Sequence, residues 1–255
     1  MTNPTNKAED PVIGAAPAGS ADEASAASAV REMFSSIAPR YDLLNHVLSM
    51  NIDRLWWNRT ARAFAGILNR PNAQVLDLCC GTGDMTFALY RHRKQESIEI
   101  VGADFSHAML VRAQQKSGDR KIRWVEADAL QLPFGTGELD LVTAAFGFRN
   151  LANYNRGLAE IHRVLRPGGE VGILDFGEPK GLVGQIYRFY FHSVLPAIGT
   201  VISGVSGPYK YLPASVQRFP APEEMLQRMR DAGFHDPTWT PYTFGIAGLY
   251  RGRKA

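Results

Sequence analysis

The residues best suited to chemistry form a short acidic and glycine-rich run in the first half of the chain. The run reads Asp77-Leu78-Cys79-Cys80-Gly81-Thr82-Gly83-Asp84. Glycine lacks a Cβ, so Gly81 and Gly83 permit the tight turn and close backbone approach that a bound ligand needs. Asp104 follows 23 positions after Gly81, close to the spacing at which a carboxylate reaches ribose hydroxyls in nucleotide-binding folds. The pattern predicts a nucleotide-binding site.

A second carboxylate extends this predicted site. It belongs to the segment Glu126-Ala127-Asp128-Ala129, where Asp128 can accept a hydrogen bond from an adenine amino group. Two acidic side chains disfavour a phosphate-rich ligand, and a dinucleotide-binding G-x-G-x-x-G pattern would need glycine where Thr86 stands. A ligand with an adenosine and no pyrophosphate therefore fits best. The alternative is that the two carboxylates only cap the helices that follow them.

The elements that must position these residues alternate between strand and helix patterns. Strands are predicted at 74–79, 98–103, 122–126, 139–144 and 170–176, and helices at 84–93, after Ser106 and at 156–165. Such alternation predicts an α/β fold, a doubly wound, mostly parallel sheet with helices on both faces. Ligands bind outside the carboxyl ends of such strands, where the acidic and glycine residues fall.

The composition is that of a globular protein. The chain has 255 residues, of which 45% are hydrophobic and 21% charged, and its net charge of +3 is too small to imply a nucleic-acid partner. Its two cysteines are adjacent, a poor arrangement for a disulfide, which favours a reducing cytoplasm. No further Cys or His lies at metal-ligand spacing around them, so no metal site is predicted.

Three segments resemble the menaquinone and ubiquinone biosynthesis C-methyltransferases, a family of Rossmann-like class I methyltransferases. They are residues 41–49 followed by Trp56, the segment Phe146-Gly147-Phe148-Arg149-Asn150, and the segment Arg163-Val164-Leu165-Arg166-Pro167-Gly168-Gly169. The resemblance covers about residues 30 to 254. The sequence departs from residues usual in the family at Leu44, Asp53, Arg166, Asp175 and Gly177.

The resemblance implies S-adenosylmethionine as the cofactor. The implied contacts are Thr82, Asp104, Asp128 and Ala129, and the turn itself adds Gly81, Gly83 and Asp77. A serine that some members use before the Phe-Gly pair is Ala145 here. The form Cys79-Cys80-Gly81 is most similar to the demethylmenaquinone members. The implied reaction transfers a methyl group to a ring carbon of a prenylated quinol, without a metal.

Arg149 is the candidate catalytic residue under this resemblance. A quinol hydroxyl has a pKa of about 10 by analogy with tyrosine, and a permanently protonated guanidinium would stabilise its phenolate form. Tyr41 and Asn150 are secondary candidates. The alternative is that Arg149 forms a salt bridge that holds the loop after the fourth strand.

The predicted domain organisation has a disordered tail at 1–28 and one methyltransferase domain at 29–255. The domain is expected to contain N-terminal helices at 29–70, a cofactor-binding core at 71–180, a substrate cap at 181–220 as a helical insertion after the fifth strand, and a C-terminal helix and hairpin at 221–255. The hairpin would supply an antiparallel edge strand to the sheet.

The apolar stretch 182–205 has two interpretations of equal weight. In the first, it lines a channel for an isoprenoid tail or rests on the inner face of the membrane. In the second, it forms a helical cap packed on the sheet. The functional alternatives are a benzoquinol of the ubiquinone pathway, another small acceptor such as a sterol or phenol, and a non-catalytic nucleotide-binding scaffold. The sequence leaves a homo-oligomer open.

Overall fold

A seven-stranded mixed sheet forms the centre of the fold. The computed structural model describes residues 13–17, 19–38, 51–177, 179, 181, 184–185 and 207–255, with the backbone alone at 207–210. The strands are β1 (Gln74–Leu78), β2 (Glu99–Asp104), β3 (Arg123–Glu126), β4 (Leu139–Ala145), β5 (Leu165–Phe176), β6 (Phe234–Tyr242) and β7 (Ala247–Lys254). They lie in the order β3-β2-β1-β4-β5-β7-β6.

The first five strands are parallel to their neighbours, whereas β7 is antiparallel to both β5 and β6. This arrangement confirms the predicted fold class of a mostly parallel sheet with an antiparallel edge. The predicted C-terminal hairpin is β6 and β7. In contrast, the Pro167-Gly168-Gly169 turn expected before the fifth strand lies inside β5, where the register with β4 shifts between Leu139 and Leu141.

Helices cover both faces of the sheet. They are α1 (Glu23–Ile37), α2 (Ile52–Ala63), α3 (Ala65–Leu68), α4 (Asp84–His92), α5 (His107–Ser117), α6 (Tyr154–Val164), α7 (Gly207–Arg218) and α8 (Pro222–Asp231), with 3₁₀ turns at Phe148–Asn150 and Thr243–Gly245. Alternate strand residues enter two separate cores, so Leu76 packs towards α6 and α8 while Val75 packs towards α2, α3 and α4. Both faces are buried, as a parallel sheet requires.

Helix α1 begins inside the range predicted as a tail. Asp22 caps it with a reciprocal pair of bonds, in which the Ser25 amide donates to the Asp22 carboxylate at 2.7 Å and the Asp22 amide donates to the Ser25 hydroxyl at 3.1 Å. The helix therefore starts at Glu23, five residues before the predicted end of the tail. Its apolar residues Ala26 and Val30 are fully buried. Their burial explains why the helix begins before residue 29, where the N-terminal helices were predicted to start.

Within the described part of the chain, none of the helices has the length and hydropathy needed to cross a bilayer. The apolar stretch 182–205 lies outside the described residues except at 184 and 185, so its two interpretations stay predictions.

Candidate active site

A cavity opens at the carboxyl edge of the sheet, between the ends of β1, β2 and β4. The strand order reverses between β1 and β4, which is the point where open parallel sheets bind ligands. The cavity holds about 760 Å³ of empty space including its mouth. Its described lining includes the predicted site residues Gly81, Asp104, Asp128, Ala129 and Asn150, beside Cys79, Phe105, Met109, Leu130, Phe146, Leu151 and, from α1, Ala27 and Phe34.

The turn after β1 needs its glycines. Gly81 and Gly83 have φ angles of 55° and 91°, in the left-handed region that side chains rarely adopt. A Cβ on Gly83 would lie 2.7 Å from the Trp124 ring. Gly81 of this turn lines the cavity, and the close approach of its backbone to a ligand stays a prediction.

Asp104 anchors this turn from the end of β2. Its Oδ2 accepts a hydrogen bond from the Gly81 amide at 2.9 Å, and its Oδ1 accepts one from the Ser106 amide at 2.9 Å. Burial raises the pKa of Asp104 to about 6. A carboxylate has about four lone-pair positions, so Asp104 can cap the start of α5 and still accept bonds from a ligand in the cavity that it lines. The geometry agrees with both the predicted ribose contact and the predicted capping role, and the ribose contact stays a prediction.

Asp128 lines the cavity just after β3, the neighbour of β2, and is exposed. Its Oδ1 accepts a hydrogen bond from the Leu130 amide at 2.9 Å, which fixes the carboxylate beside the buried Ala129. Leu130 supplies an apolar wall. These neighbours match the adenine-binding role that the sequence predicts for Asp128, and that role stays a prediction.

Three predicted cofactor contacts, Asp77, Thr82 and Gly83, are not among the residues that line the cavity. Asp77 is fully buried, and its two oxygens accept hydrogen bonds from the hydroxyls of Thr86 at 2.6 Å and Thr143 at 2.8 Å. Burial raises the pKa of Asp77 to about 7. Thr82 is also buried and accepts a bond from Lys116 at 3.1 Å. Gly83 is the third of these residues. Its positive φ angle explains why glycine stands at this position.

Thr86 and Thr143 are functional partners that sequence reasoning missed. Thr86 entered the sequence argument only as the absence of a third glycine, yet its hydroxyl ties α4 to β1 through Asp77. Thr143 reaches the same carboxylate from β4. The strand order brings both hydroxyls to the same buried carboxylate. A local sequence pattern does not contain that order, so it could not predict these contacts.

Arg149 is buried in a salt bridge, as its alternative interpretation expected. Its Nη1 donates to Asp175 Oδ1 at 2.9 Å and to the Phe146 carbonyl, while its amide donates to Asp175 Oδ2 at 3.1 Å. The guanidinium also lies over the Phe176 ring at 5.2 Å. Its Nε has no hydrogen-bond partner among the described residues. Arg149 thus holds the loop after β4 and retains one uncommitted donor.

A second cavity adjoins the first across the Phe148–Asn150 turn. Arg149, Tyr154 and Tyr211 line it together with Ala15, Met33, Ser215 and Arg218. The Tyr211 hydroxyl donates to Asn150 Oδ1 at 3.1 Å, and burial raises the pKa of Tyr211 to about 12. Asn150 lines the first cavity and Arg149 the second, so the turn connects the two. Tyr41 lies outside the described residues.

The N-terminal segment closes over both cavities. Ser35 and Ser106 form a hydroxyl hydrogen bond of 2.9 Å, and Glu23 accepts bonds of 2.7 Å from Asn153 and Arg156. Before the helix, the Gly14 amide donates to the Ala152 carbonyl at 3.0 Å. The sequence offers one signal for the start of this helix, the reciprocal capping pair of Asp22 and Ser25.

The adjacent cysteines are thiols in the protein's core. Cys80 is buried and Cys79 lines the first cavity. Burial raises the pKa of both well above the ordinary thiol value. Among the described residues, no group of three or more potential ligands is placed to hold a metal ion.

The model of the ubiE/COQ5 methyltransferase family matches residues 21–254. The chain belongs to this family. Its relatives include a Deinococcus radiodurans demethylmenaquinone methyltransferase, 49% identical over 91% of this chain and 95% of the relative. A Thermus thermophilus demethylmenaquinone methyltransferase is 48% identical over 87% of this chain and all of the relative. A Geobacter sulfurreducens ubiquinone/menaquinone biosynthesis C-methyltransferase is 42% identical over 88% of each.

Solved structures agree with ubiE/COQ5 membership at the level of the fold. A SAM-dependent methyltransferase from Thermotoga maritima superposes with a TM-score of 0.63 at 17% identity, covering 89% of this chain and all of that one. A Haemonchus contortus phosphoethanolamine N-methyltransferase in complex with S-adenosylhomocysteine gives 0.56 at 15% identity, covering 78% of this chain and 52% of that one.

The ubiE/COQ5 chain is therefore an S-adenosylmethionine-dependent methyltransferase, which confirms the predicted cofactor. The first cavity fits this cofactor by its donor and acceptor set. Asp104 offers free lone pairs to ribose hydroxyls, Gly81 gives close backbone approach, and Leu130 with Met109 supplies apolar walls. No lysine or arginine is among the described residues that line the cavity, which suits a ligand without phosphate.

Proposed function

We propose that this ubiE/COQ5 chain transfers the methyl group of S-adenosylmethionine to a ring carbon of a prenylated naphthoquinol, converting demethylmenaquinol to menaquinol. Two relatives that are 49% and 48% identical over nearly their whole length are demethylmenaquinone methyltransferases. The observation that carries the proposal is the position of Arg149, a buried cation on the wall of the cavity next to the cofactor cavity.

The corresponding benzoquinol is the second candidate acceptor. One observation favours it: the Geobacter sulfurreducens relative, at 42% identity, carries a name that covers both the ubiquinone and the menaquinone pathways. Both acceptors present the same chemistry to the protein, an electron-rich ring with a hydroxyl beside the reacting carbon. The two differ in ring size, which a direct competition between the substrates would resolve.

Arg149 raises the reactivity of the acceptor in this proposal. Bound S-adenosylmethionine supplies an electrophilic sulfonium methyl group. A phenolate makes the ring carbon more nucleophilic than the neutral hydroxyl does, and a buried cationic donor lowers the hydroxyl's pKa. Arg149 lines the second cavity, so its charge lies close enough to favour the phenolate form of an acceptor bound there. Asp175 fixes the guanidinium at 2.9 Å and acts as a positioning residue.

Exclusion of water supports the same reaction. The N-terminal segment closes over both cavities through Glu23, Ser35 and Gly14, and Tyr211 holds Asn150 at the junction between them. A rigid, dry junction keeps the donor methyl and the acceptor carbon in line, which supplies much of the acceleration in bimolecular transfers. Tyr41 and Asn150 remain secondary candidates for contact with the acceptor.

A prenylated acceptor dissolves in the bilayer rather than in water. We therefore propose that the protein is cytoplasmic and meets its acceptor as a peripheral protein at the inner face of the membrane.

Mass spectrometry of the products formed from demethylmenaquinol with labelled S-adenosylmethionine tests the proposal. We expect a single labelled ring methyl, and we expect Arg149→Lys to lower kcat by about 10- to 1000-fold, since oxyanion-type donors contribute on this scale. Calorimetry should give an unchanged affinity for the cofactor. Arg123→Lys is the matched control, because Arg123 pairs with Glu99 at 3.6 Å and both side chains are exposed. Full turnover in Arg149→Lys would remove Arg149 from the mechanism, and binding without turnover on any quinol would favour a scaffold.

A further inference from the structure

Residues of α7, α8, β6 and β7 line a third cavity, which the proposed reaction does not use. It holds about 2170 Å³ of empty space including its mouth. The larger side chains of its described lining are mostly apolar or aromatic, namely Phe176, Val216, Phe219, Trp239, Phe244 and Tyr250. Cavities lined in this way take ligands that are themselves mostly apolar.

The third cavity is continuous with the second. Both are lined by Tyr154 and by Gln217 and Arg218 of α7. The Arg149 guanidinium, on the wall of the second cavity, lies 5.2 Å from the centre of the Phe176 ring, which lines the third. A ligand with its head group beside Arg149 can therefore extend past Tyr154 into the third cavity.

A row of four aromatic rings follows the wall of the third cavity away from this junction. The ring centroids of Tyr154 and Phe219 are 5.7 Å apart, those of Phe219 and Tyr250 6.2 Å, and those of Tyr250 and Trp239 6.4 Å. All four residues line the cavity. Aromatic rings offer a large and rigid apolar contact area. A row of them suits a long hydrocarbon chain better than a compact polar ligand.

Folding leaves part of this aromatic surface uncovered. Phe176 and Trp239 are half-buried. Phe244 is 81% exposed, more than any other large apolar side chain in the described part of the chain. A single exposed apolar residue is ordinary, but this one lines an apolar cavity. A hydrocarbon ligand would remove this surface from water, and that transfer is favourable.

The charged residues of the lining belong to the solvent side or bond to the protein. Glu223 and Glu224 are exposed, and Glu224 forms an ion pair of 2.8 Å with Arg228. Arg218 donates from its Nε to the Gly14 carbonyl at 2.7 Å. The aromatic row therefore supplies the inner contact surface, and it calls for an uncharged ligand.

We propose that the third cavity binds the isoprenoid tail of the acceptor while the ring lies beside Arg149 in the second cavity. An isoprenoid chain is uncharged, long and branched, and it is attached to the ring that the proposed reaction methylates. The inference rests on the proposed function for the identity of this ring. The cavity thereby makes affinity for the acceptor depend on tail length.

Steady-state kinetics in one detergent, with demethylmenaquinol analogues of one and of four isoprene units, tests the tail site. The KM of the unmodified protein should be at least tenfold lower for the longer tail. Ala221→Trp places an indole at an exposed position of the cavity lining. It should raise the KM for the longer tail at least tenfold and leave kcat and the kinetics of the shorter one unchanged. Phe244→Ser should raise the same KM about threefold.

Ala65→Trp is the matched control, because Ala65 is exposed on α3 and is absent from the described linings of the three cavities. Its kinetics should equal those of the unmodified protein with both tails. Thermal unfolding and calorimetry with S-adenosylhomocysteine establish that each variant folds. A KM that does not depend on tail length, or an unchanged KM for the longer tail in folded Ala221→Trp and Phe244→Ser, overturns the inference.

A binding measurement without turnover separates this inference from the proposed function. Geranylgeraniol, an isoprenoid alcohol without a ring, should bind the protein loaded with S-adenosylhomocysteine, and Ala221→Trp should weaken that binding at least tenfold. Absence of binding would mean that the chain's own residues fill the cavity, and it overturns the inference. Binding that Ala221→Trp weakens, without turnover on any quinol, counts against the proposed function and supports an isoprenoid site.

Discussion

Asp104 connects three parts of the cofactor site through one carboxylate. It fixes the glycine turn by its bond to Gly81, begins α5 by its bond to Ser106, and lines the cavity. Burial raises its pKa from 3.8 to about 6, so the group titrates near the range of ordinary assays. Ribose hydroxyls donate hydrogen bonds, and only the ionised carboxylate accepts from both.

Affinity for the cofactor should therefore fall as the pH drops through about 6. A ligand that binds the ionised form loses about tenfold in affinity for each pH unit below the pKa of the free site. Calorimetry with S-adenosylhomocysteine between pH 5 and pH 8 measures this dependence. Asp104→Asn should bind weakly at every pH in that range. A constant affinity of the unmodified protein from pH 5 to pH 7.5 would rule out a direct contact.

Asp77 is fully buried and ties β1 to α4 and β4 through two hydroxyl hydrogen bonds. Thr143→Val removes one of the two hydroxyl donors to this buried carboxylate, which should lower the free energy of unfolding by about 1–3 kcal/mol. Chemical denaturation measures the change. Thr240→Val, on the exposed face of β6, is the control and should change little. A loss of the same size in both variants would contradict the assignment.

At the scale of elements, α1 closes the cavity that the sheet opens. Three contacts fix it there: Ser35 to Ser106, and Glu23 to Asn153 and Arg156. Release of a bound cofactor past Ala27 and Phe34 requires this helix to move, because both side chains line the cavity. The strength of these contacts then sets the dissociation rate.

The double variant Glu23→Gln/Ser35→Ala should release S-adenosylhomocysteine faster, by about threefold to tenfold, because a single hydrogen bond contributes about 0.5–1.5 kcal/mol. Stopped-flow displacement measures the rate. Ser28→Ala provides the comparison, since Ser28 bonds only to Glu32 on the exposed side of the same helix. An unchanged release rate in the double variant would show that the cofactor leaves by another path.

Local patterns predicted most elements because they depend on periodicity and on turn residues. The strands at the sheet centre, the glycine turn and the C-terminal hairpin are all where the sequence placed them, within a few residues. The pairings of Asp77 with Thr143 and of Arg149 with Asp175 were out of reach, because they join residues 66 and 26 positions apart. The start of α1 was missed because its small residues resemble a tail.

At the scale of the whole molecule, the functional surfaces share one edge of the sheet. The first and second cavities lie where β1, β2 and β4 end, and the opposite edge carries none of the predicted site residues that the structure describes. This polarity follows from the parallel strands, and the sequence predicted it through the order of its motifs. The second cavity is lined by α7, which lies within the range 181–220 predicted as a substrate cap, and by residues 15–17, which lie within the range predicted as a tail.

The position of Cys79 has a consequence for the survival of the enzyme. The oxidised form of the proposed acceptor is a quinone, and quinones alkylate thiolates at the same unsubstituted ring carbon that receives the methyl group. Thiolates, not thiols, are the reactive species. Because burial holds the pKa of Cys79 well above its usual value, its sulfur stays protonated on the cavity wall. We therefore expect Cys79 to react slowly with the oxidised acceptor, which mass spectrometry of the protein after incubation with that quinone would measure.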